Sequence, residues 1–144
     1  MKFTNLSIPE VVLIEPRIHG DSRGYFFETY RQDFFEEAVK RKVSFVQDNE
    51  SKSAKGVIRG LHFQEPPYAQ AKLVRVIEGS VLDVAVDLRK DSQNFGKYVS
   101  AMLTGDNKNQ LFIPEGFAHG FVTLSDTAVF SYKTTSYFSP KHEK

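Results

Sequence analysis

Apolar and polar residues alternate with a period of two over much of this chain, and this pattern limits the fold more than any other feature of the sequence. In segment 81–88, Leu82, Val84, Val86 and Leu88 alternate with Val81, Asp83, Ala85 and Asp87. A period of two is typical of a β-strand, whose successive side chains point to opposite faces. Because segment 72–77 alternates in the same way and residues 78–80 favour a turn, the sequence predicts a β-hairpin over 72–88.

Similar patterns predict short strands along the rest of the chain. These further strands are expected at 11–15, 25–29, 43–49, 57–64, 97–103, 110–113, 119–124 and 128–132. One segment, 31–42, has a helical pattern instead, with Phe34, Phe35 and Ala38 on one side and charged residues on the other. Short strands need two packed sheets to cover their apolar faces, so we expect an all-β jelly-roll barrel with one short helix. The length of 144 residues predicts a single domain over 1–144.

Composition argues against several classes of partner. The 19 lysines and arginines nearly balance the 18 aspartates and glutamates, whereas nucleic-acid or membrane-surface binding favours a basic excess. The absence of cysteine excludes disulfides and thiolate chemistry. No apolar run approaches a membrane span, and the first seven residues lack a signal-peptide pattern. We therefore expect a cytoplasmic protein with neither a nucleic-acid nor a membrane partner.

Four residues on predicted strands have side chains suited to acid–base chemistry. They are His62, His119, Lys72 and Tyr132. Together they can remove a proton, stabilise the resulting negative charge and return a proton, which indicates an enzyme. Taken one at a time, each has a structural alternative: a core histidine, a surface lysine or a packing tyrosine. The alternation places Arg59 on the face opposite His62.

The segment Pro114–His119 has the pattern Pro-x-Gly-x-x-His. It resembles the second motif of the cupin superfamily, which consists of small jelly-roll barrels. Metal-binding cupins have His-x-His in the first motif, and here that place is occupied by His62, Phe63 and Gln64. Two imidazoles alone make a poor metal site, so we expect a metal-free barrel.

Six segments, in the same order along the chain, resemble the dTDP-4-dehydrorhamnose 3,5-epimerase family of the rhamnose pathway. They are DSRGYFFE (21–28), QDN (47–49), RGLHFQ (59–64), KLVRV (72–76), DVAVDLR (83–89) and IPEGFAHGF (113–121). The resemblance implies an enzyme without a cofactor that acts on a dTDP-4-keto-6-deoxy sugar. A base removes a proton at C3 or C5 beside the ketone, an enolate forms, and a proton returns from the opposite face.

The resemblance also implies a role for individual residues. In the family the histidine that matches His62 is the base, the tyrosine that matches Tyr132 is the general acid, and the residues that match Lys72 and His119 lie near the enolate oxygen. The expected nucleotide contacts are Arg23 and Arg59 at the diphosphate, Glu28 at the nucleobase, Phe26 and Phe138 packed on that nucleobase, and Gln47 and Asn49 along the nucleotide or sugar. The family is dimeric, so we expect a homodimer in which segment 21–28 completes the neighbour's site.

The match leaves the partner of His62 open. Typical members of the family extend some tens of residues further, and that tail supplies the aspartate that pairs with the catalytic histidine. Asp83 could orient His62 instead, or it could be a structural carboxylate. The alternatives are therefore a 3,5-epimerase with a rearranged pair, a C3-only epimerase, a related 3,4-ketoisomerase, or a nucleotide-sugar binder without activity.

Overall fold

The computed structural model describes residues 1–144, and its regular structure consists of β-strands and one short helix. The strands are β1 (Lys2–Asn5), β2 (Val12–Glu15), β3 (His19–Asp21), β4 (Gly24–Phe26), β5 (Gln47–Ala54), β6 (Ile58–His62), β7 (Lys72–Glu78), β8 (Ser80–Asp87), β9 (Tyr98–Thr104), β10 (Gln110–Ile113), β11 (Phe117–Thr123) and β12 (Thr127–Thr134). The one helix, α1, spans Gln32–Val39. It is neither long nor apolar enough to cross a membrane.

Two antiparallel sheets form the barrel. A six-stranded sheet has the order β1-β2-β10-β7-β12-β5, and a four-stranded sheet has the order β6-β11-β8-β9. Strands β3 and β4 pair only with each other, as a small separate hairpin. The prediction of an all-β jelly roll with one short helix is confirmed.

The core lies between the two large sheets. Its buried apolar side chains include Val74, Val76, Leu103, Leu111, Phe117, Phe121 and Phe130. In β8 the inward face carries Val81, Asp83, Ala85 and Asp87, all buried, whereas Leu82, Val84 and Val86 face outward and are partly exposed. The alternation is therefore as predicted, and it brings two carboxylates into the interior.

The predicted hairpin over 72–88 is wrong, although both strands exist. Strand β7 pairs with β10 and β12, and β8 pairs with β11 and β9, so the two strands belong to different sheets. The chain changes sheet at Gly79, which has a φ of 86°. A Cβ at this position would lie 2.2 Å from the carbonyl oxygen of Thr127, so only glycine fits this corner.

Several element boundaries differ from the predicted ones. The expected strand 25–29 is the short β4, and the expected strand 43–49 begins only at Gln47 because Val43 and Phe45 pack beside α1 instead. Helix α1 stops before the predicted end at 42, because Lys40 adopts a left-handed conformation with φ 58°. Strand β1 was not predicted.

Candidate active site

A cavity of about 340 Å³ opens between the two sheets, where β5 and β12 of one face β6 and β11 of the other. Its lining consists of Asn49, Glu50, Ser51, Arg59, Gly60, His62, His119, Phe121, Phe130 and Tyr132. Five of the residues predicted from the sequence thus meet at one cavity: Asn49, Arg59, His62, His119 and Tyr132.

A bulge in β6 brings Arg59 and His62 to the same side. Opposite β11, His62 pairs with His119 and Arg59 pairs with Phe121, so three steps on β6 match two steps on β11. The extra residue reverses the alternation between these positions. The prediction that Arg59 lies opposite His62 is therefore wrong.

The two strands approach each other very closely at Gly60 within this bulge. A Cβ on Gly60 would lie 2.5 Å from the carbonyl oxygen of His119, and the φ of Gly60 is 101°. No side chain could be accommodated there without moving β6 away from β11. Glycine thus allows the two histidine strands to pair beside the cavity.

His62 lies half-buried at the cavity wall, with its ring centroid 6.3 Å from that of His119. Burial lowers the pKa of His62 to about 4, and electrostatic interactions with Lys72 and His119 act in the same direction. At neutral pH the ring is therefore neutral, the form that can accept a proton.

His119 is held by a buried carboxylate. Its Nε2 lies 2.9 Å from Oδ1 and 2.8 Å from Oδ2 of Asp83, on the inward face of the adjacent strand β8. Burial raises the pKa of Asp83, while His119 and Lys72 oppose that increase. Because both oxygens contact His119, the hypothesis that Asp83 orients His62 is wrong.

Lys72 and Tyr132 lie close together on the paired strands β7 and β12. The Lys72 Nζ is 6.0 Å from the centre of the Tyr132 ring, and the lysine is only 6% exposed. The alternative of a surface lysine is thereby excluded. Burial lowers the pKa of Lys72 to about 8, against the opposing effects of Glu143 and Asp83. Most Lys72 side chains therefore carry a positive charge at neutral pH.

Polar side chains of β5 line one side of the cavity. Arg59 Nε donates a hydrogen bond to Ser53 Oγ at 2.8 Å, which fixes the guanidinium. Gln47 Nε2 donates to Asn49 Oδ1 at 3.0 Å, and Gln47 Oε1 accepts from the backbone N–H of Phe138 at 3.1 Å. Gln47 and Phe138 thus lie at the rim and do not line the cavity.

Two serines of the site were not predicted from the sequence: Ser51, which lines the cavity, and Ser53, which holds Arg59. Continuing the alternation from Gln47 and Asn49 would have found both, because every second residue of β5 faces inward.

Three predicted binding residues lie elsewhere in the chain. Arg23, Phe26 and Glu28 belong to the β3–β4 hairpin or follow it, and none lines the cavity. Arg23 forms an ion pair with Asp21 at 2.7 Å, and Glu28 lies 3.4 Å from Arg31. Phe26 is 67% exposed. Within one chain, these residues do not contribute to the cavity.

The C-terminal segment brings a further carboxylate to His62. Phe63 and Lys144 exchange backbone hydrogen bonds of 3.2 and 3.0 Å, which places Glu143 beside the end of β6. Glu143 Oε1 then lies 3.9 Å from Nδ1 of His62. No local pattern around Glu143 in the sequence indicated this contact, because it depends on the long-range pairing of the two segments.

Gln64 occupies the position of the second histidine in the His-x-His pattern. Its Nε2 donates to the carbonyls of Tyr68 and Tyr137 at 2.6 and 3.2 Å, and its Oε1 accepts from the N–H of Ser139 at 2.8 Å. The side chain therefore anchors the C-terminal segment. The structure contains no group of three or more His, Cys, Asp or Glu placed to hold a metal ion, and the absence of a metal stays a prediction.

The arrangement is suited to moving a proton next to a carbonyl group. The neutral imidazole of His62, the phenol of Tyr132 and the paired imidazole of His119 line one partly enclosed cavity. The ammonium of Lys72 does not line it but lies buried beside the Tyr132 ring. A base, a proton donor and positive charge for a developing oxyanion are the groups that enolate chemistry needs.

Comparison with known proteins agrees with this chemistry. A family model described as dTDP-4-dehydrorhamnose 3,5-epimerase matches residues 5–144. The protein of that name from Shigella flexneri is 58% identical over 144 residues, covering 100% of this chain and 80% of the relative. The one from Pseudomonas aeruginosa is also 58% identical, and 79% of its length is covered.

Solved structures show the same similarity. A dTDP-6-deoxy-D-glucose-3,5-epimerase from Legionella pneumophila, in complex with dTDP-4-keto-L-rhamnose, aligns with a TM-score of 0.95 at 49% identity. The alignment covers 99% of this chain and 75% of that one. These neighbours confirm the cupin-type fold. The chain belongs to the dTDP-4-dehydrorhamnose 3,5-epimerase family.

Proposed function

We propose that this protein epimerises a dTDP-4-keto-6-deoxyhexose at C3 and C5, in the biosynthesis of dTDP-rhamnose or a related surface-polysaccharide sugar. The proposal rests on the meeting of a neutral His62 with Tyr132 at one cavity, with the buried, cationic Lys72 beside the Tyr132 ring. Membership of the family and the ligand of the Legionella relative support the same substrate class.

In this mechanism His62 is the base. The C4 ketone acidifies the hydrogens at C3 and C5, and the neutral imidazole removes one of them to give an enolate. The ammonium of Lys72 and the ring of His119, fixed by Asp83, stabilise the charge on the enolate oxygen. Tyr132 then donates a proton from the opposite face, and this acid–base pair contributes about 10²–10⁴-fold to the rate.

The nucleotide would lie along β5 and its surroundings. Arg59, positioned by Ser53, offers a guanidinium to the diphosphate, and Asn49 offers an amide beside it. Gln47 and Phe138 at the rim are suited to contacts with the nucleoside. Three residues that one chain does not bring to its own cavity would complete the nucleotide site, with Arg23 at the diphosphate and Phe26 and Glu28 at the nucleobase.

We infer a homodimer for two reasons. Arg23, Phe26 and Glu28 do not reach the cavity of their own chain, and one sheet has an exposed apolar surface. The outer face of the four-stranded sheet presents a continuous row of Ile58, Val122, Leu82 and Met102, one residue from each strand. Ile58 is 71% exposed and Met102 is 48% exposed. A second copy of the chain packed on this face would cover the row, and its β3–β4 hairpin would supply the missing nucleotide contacts.

Deuterium incorporation from D₂O tests the reaction. The protein is incubated with dTDP-4-keto-6-deoxyglucose in D₂O, and the sugar is followed by NMR. We expect deuterium at both C3 and C5 and inversion at both centres. Binding of dTDP without any exchange would overturn the proposal in favour of a nucleotide-sugar binder.

The same spectra distinguish the related activities. Deuterium at C3 alone would indicate a C3-only epimerase, and a carbonyl carbon moved from C4 to C3 would indicate a ketoisomerase. The 3′-monoepimerase of Streptomyces bikiniensis, solved with dTDP-quinovose, is 33% identical with a TM-score of 0.90. The 3,5-epimerase of Shigella flexneri, at 58% identity, is the nearer of the two, which favours labelling at both carbons.

A further inference from the structure

The β3–β4 hairpin carries predicted nucleotide contacts but is not hydrogen-bonded into either large sheet. Its strands pair only with each other, over His19–Phe26 and Asp21–Gly24. An isolated two-stranded hairpin is marginally stable, so other contacts must set its direction. The following segment is anchored at Thr29, whose carbonyl accepts a 2.8 Å hydrogen bond from Gln110 Nε2.

One contact with the barrel fixes the hairpin itself. Lys108, in the turn between β9 and β10, places its Nζ 4.0 Å from the centre of the Tyr25 ring and 5.7 Å from that of Phe27. The same Nζ donates a 2.7 Å hydrogen bond to the carbonyl of Gly105, which holds the ammonium in place. These distances lie within the range of a cation–π interaction.

Because side chains alternate along the strand, this contact determines which side of the hairpin faces the barrel. Tyr25 and Phe27 lie on the face that meets Lys108, so Phe26 between them points the other way and remains exposed. The two anchored rings are 6.0 Å apart and act as one surface. Holding them against the barrel therefore presents the Phe26 side of the hairpin outward, where a neighbouring subunit can use it.

We propose that Lys108 is a positioning residue for substrate binding, which holds the β3–β4 hairpin of its own subunit so that Phe26 and its neighbours meet the nucleotide in the partner's cavity. This inference rests on the proposed function and on the proposed dimer. Lys108 touches no reacting group, so its loss weakens nucleotide binding without changing the chemical step.

The first experiment compares Lys108→Met, which keeps the side-chain length without the charge, with Lys108→Arg, which keeps the cation. Because an exposed cation–π pair contributes about 0.5–1 kcal/mol, we expect Lys108→Met to raise KM about two- to five-fold with kcat unchanged. Lys108→Arg should restore most of the affinity. Lys90 makes no cation–π contact, so Lys90→Met is the control for the loss of one charge.

Hydrogen exchange measured by mass spectrometry provides a readout that is independent of activity. Peptides covering residues 16–28 should exchange about two- to five-fold faster in Lys108→Met than in the wild type, because the hairpin opens more often. Peptides from β7 and β12 should be unchanged. Equal exchange of the hairpin in both proteins would overturn the proposal, even if the wild type proved to have no epimerase activity.

Hybrid dimers test whether Lys108 acts on the partner's site. A dimer with one Lys108→Met subunit and one His62→Ala subunit has a single intact cavity, which belongs to the Lys108→Met subunit. The hairpin serving that cavity comes from the His62→Ala subunit and still carries Lys108. We expect this hybrid to recover the wild-type KM, whereas a KM that stays raised would overturn action across the interface.

Discussion

Both carboxylate oxygens of Asp83 lie within hydrogen-bonding distance of Nε2 of His119, at 2.9 and 2.8 Å, and both residues are buried. This pair joins β8 to β11 inside the barrel, at the wall of the cavity. It fixes the plane of one imidazole while the other, His62, remains neutral with Glu143 3.9 Å away. The two histidines therefore have different environments, which fits different roles.

Two substitutions of Asp83 distinguish its contribution to stability from its contribution to the reaction rate. Asp83→Leu leaves a buried imidazole without a partner, so we expect the free energy of unfolding to fall by about 1–3 kcal/mol. Asp83→Asn retains an acceptor and should unfold close to the wild type, but exchange at C3 and C5 should slow because the charge is lost. Urea unfolding and deuterium exchange measure the two effects. Equal stability of Asp83→Leu and the wild type would contradict the buried pairing.

The pKa values of His62 and Lys72 predict the pH dependence of kcat/KM. His62 must be neutral, which it is above its pKa of about 4, and Lys72 must be charged, which it is below its pKa of about 8. The rate should therefore be constant between roughly pH 5 and 7 and should fall as the pH rises through 8. If kcat/KM instead decreases as the pH is lowered through 6.5, burial does not lower the pKa of His62.

The variant Lys72→Met tests the assignment of these two pKa values to His62 and Lys72. Lys72→Met should remove the loss of activity at high pH, and it should also raise the pKa of His62, because the lysine charge helps to lower it. NMR titration of the His62 ring measures the second effect, even if the variant is slow.

Ser53 is expected to act through Arg59. Removing the hydroxyl in Ser53→Ala deletes the 2.8 Å hydrogen bond to the guanidinium. The arginine then loses its fixed position, and dTDP should bind about 3- to 10-fold more weakly, with kcat little changed. Ser53→Thr keeps the hydroxyl and is the matched control. Calorimetry with dTDP measures the affinity, and unchanged binding in Ser53→Ala would rule out this role.

The apolar row on the four-stranded sheet predicts the oligomeric state. Sedimentation should give twice the chain mass of 16.4 kDa for the wild type. The double variant Ile58→Glu/Met102→Glu places charges in the row and should sediment as a monomer. Ile77→Glu, at an exposed apolar position on the other sheet, should remain a dimer. A wild-type monomer at micromolar concentration would contradict the dimer.

Local patterns predicted the strands of this protein but not their partners. The alternation in 72–88 correctly placed both strands, yet Gly79 sends them into different sheets, and that depends on the distant Thr127. Likewise, the bulge that turns Arg59 towards the cavity exists only in the pairing of β6 with β11.

In the site, too, local patterns predicted individual residues but not their partners. His62, Lys72, His119 and Tyr132 could be chosen because their side-chain chemistry lies on predicted strands and matches family motifs. Their convergence required the structure, as did the contact of Glu143 with His62 and the assignment of Asp83 to His119. Partners separated by tens of residues in the sequence leave no local pattern.

The role of His62 as the base is tested most directly by comparing deuterium incorporation in D₂O between wild type and His62→Ala, with dTDP affinity measured on the same samples. Because His62 provides the base and does not hold the nucleotide, the variant should lose exchange at C3 and C5 while its dTDP affinity stays within about three-fold. Exchange at comparable rates in both proteins would show that His62 does not remove the proton.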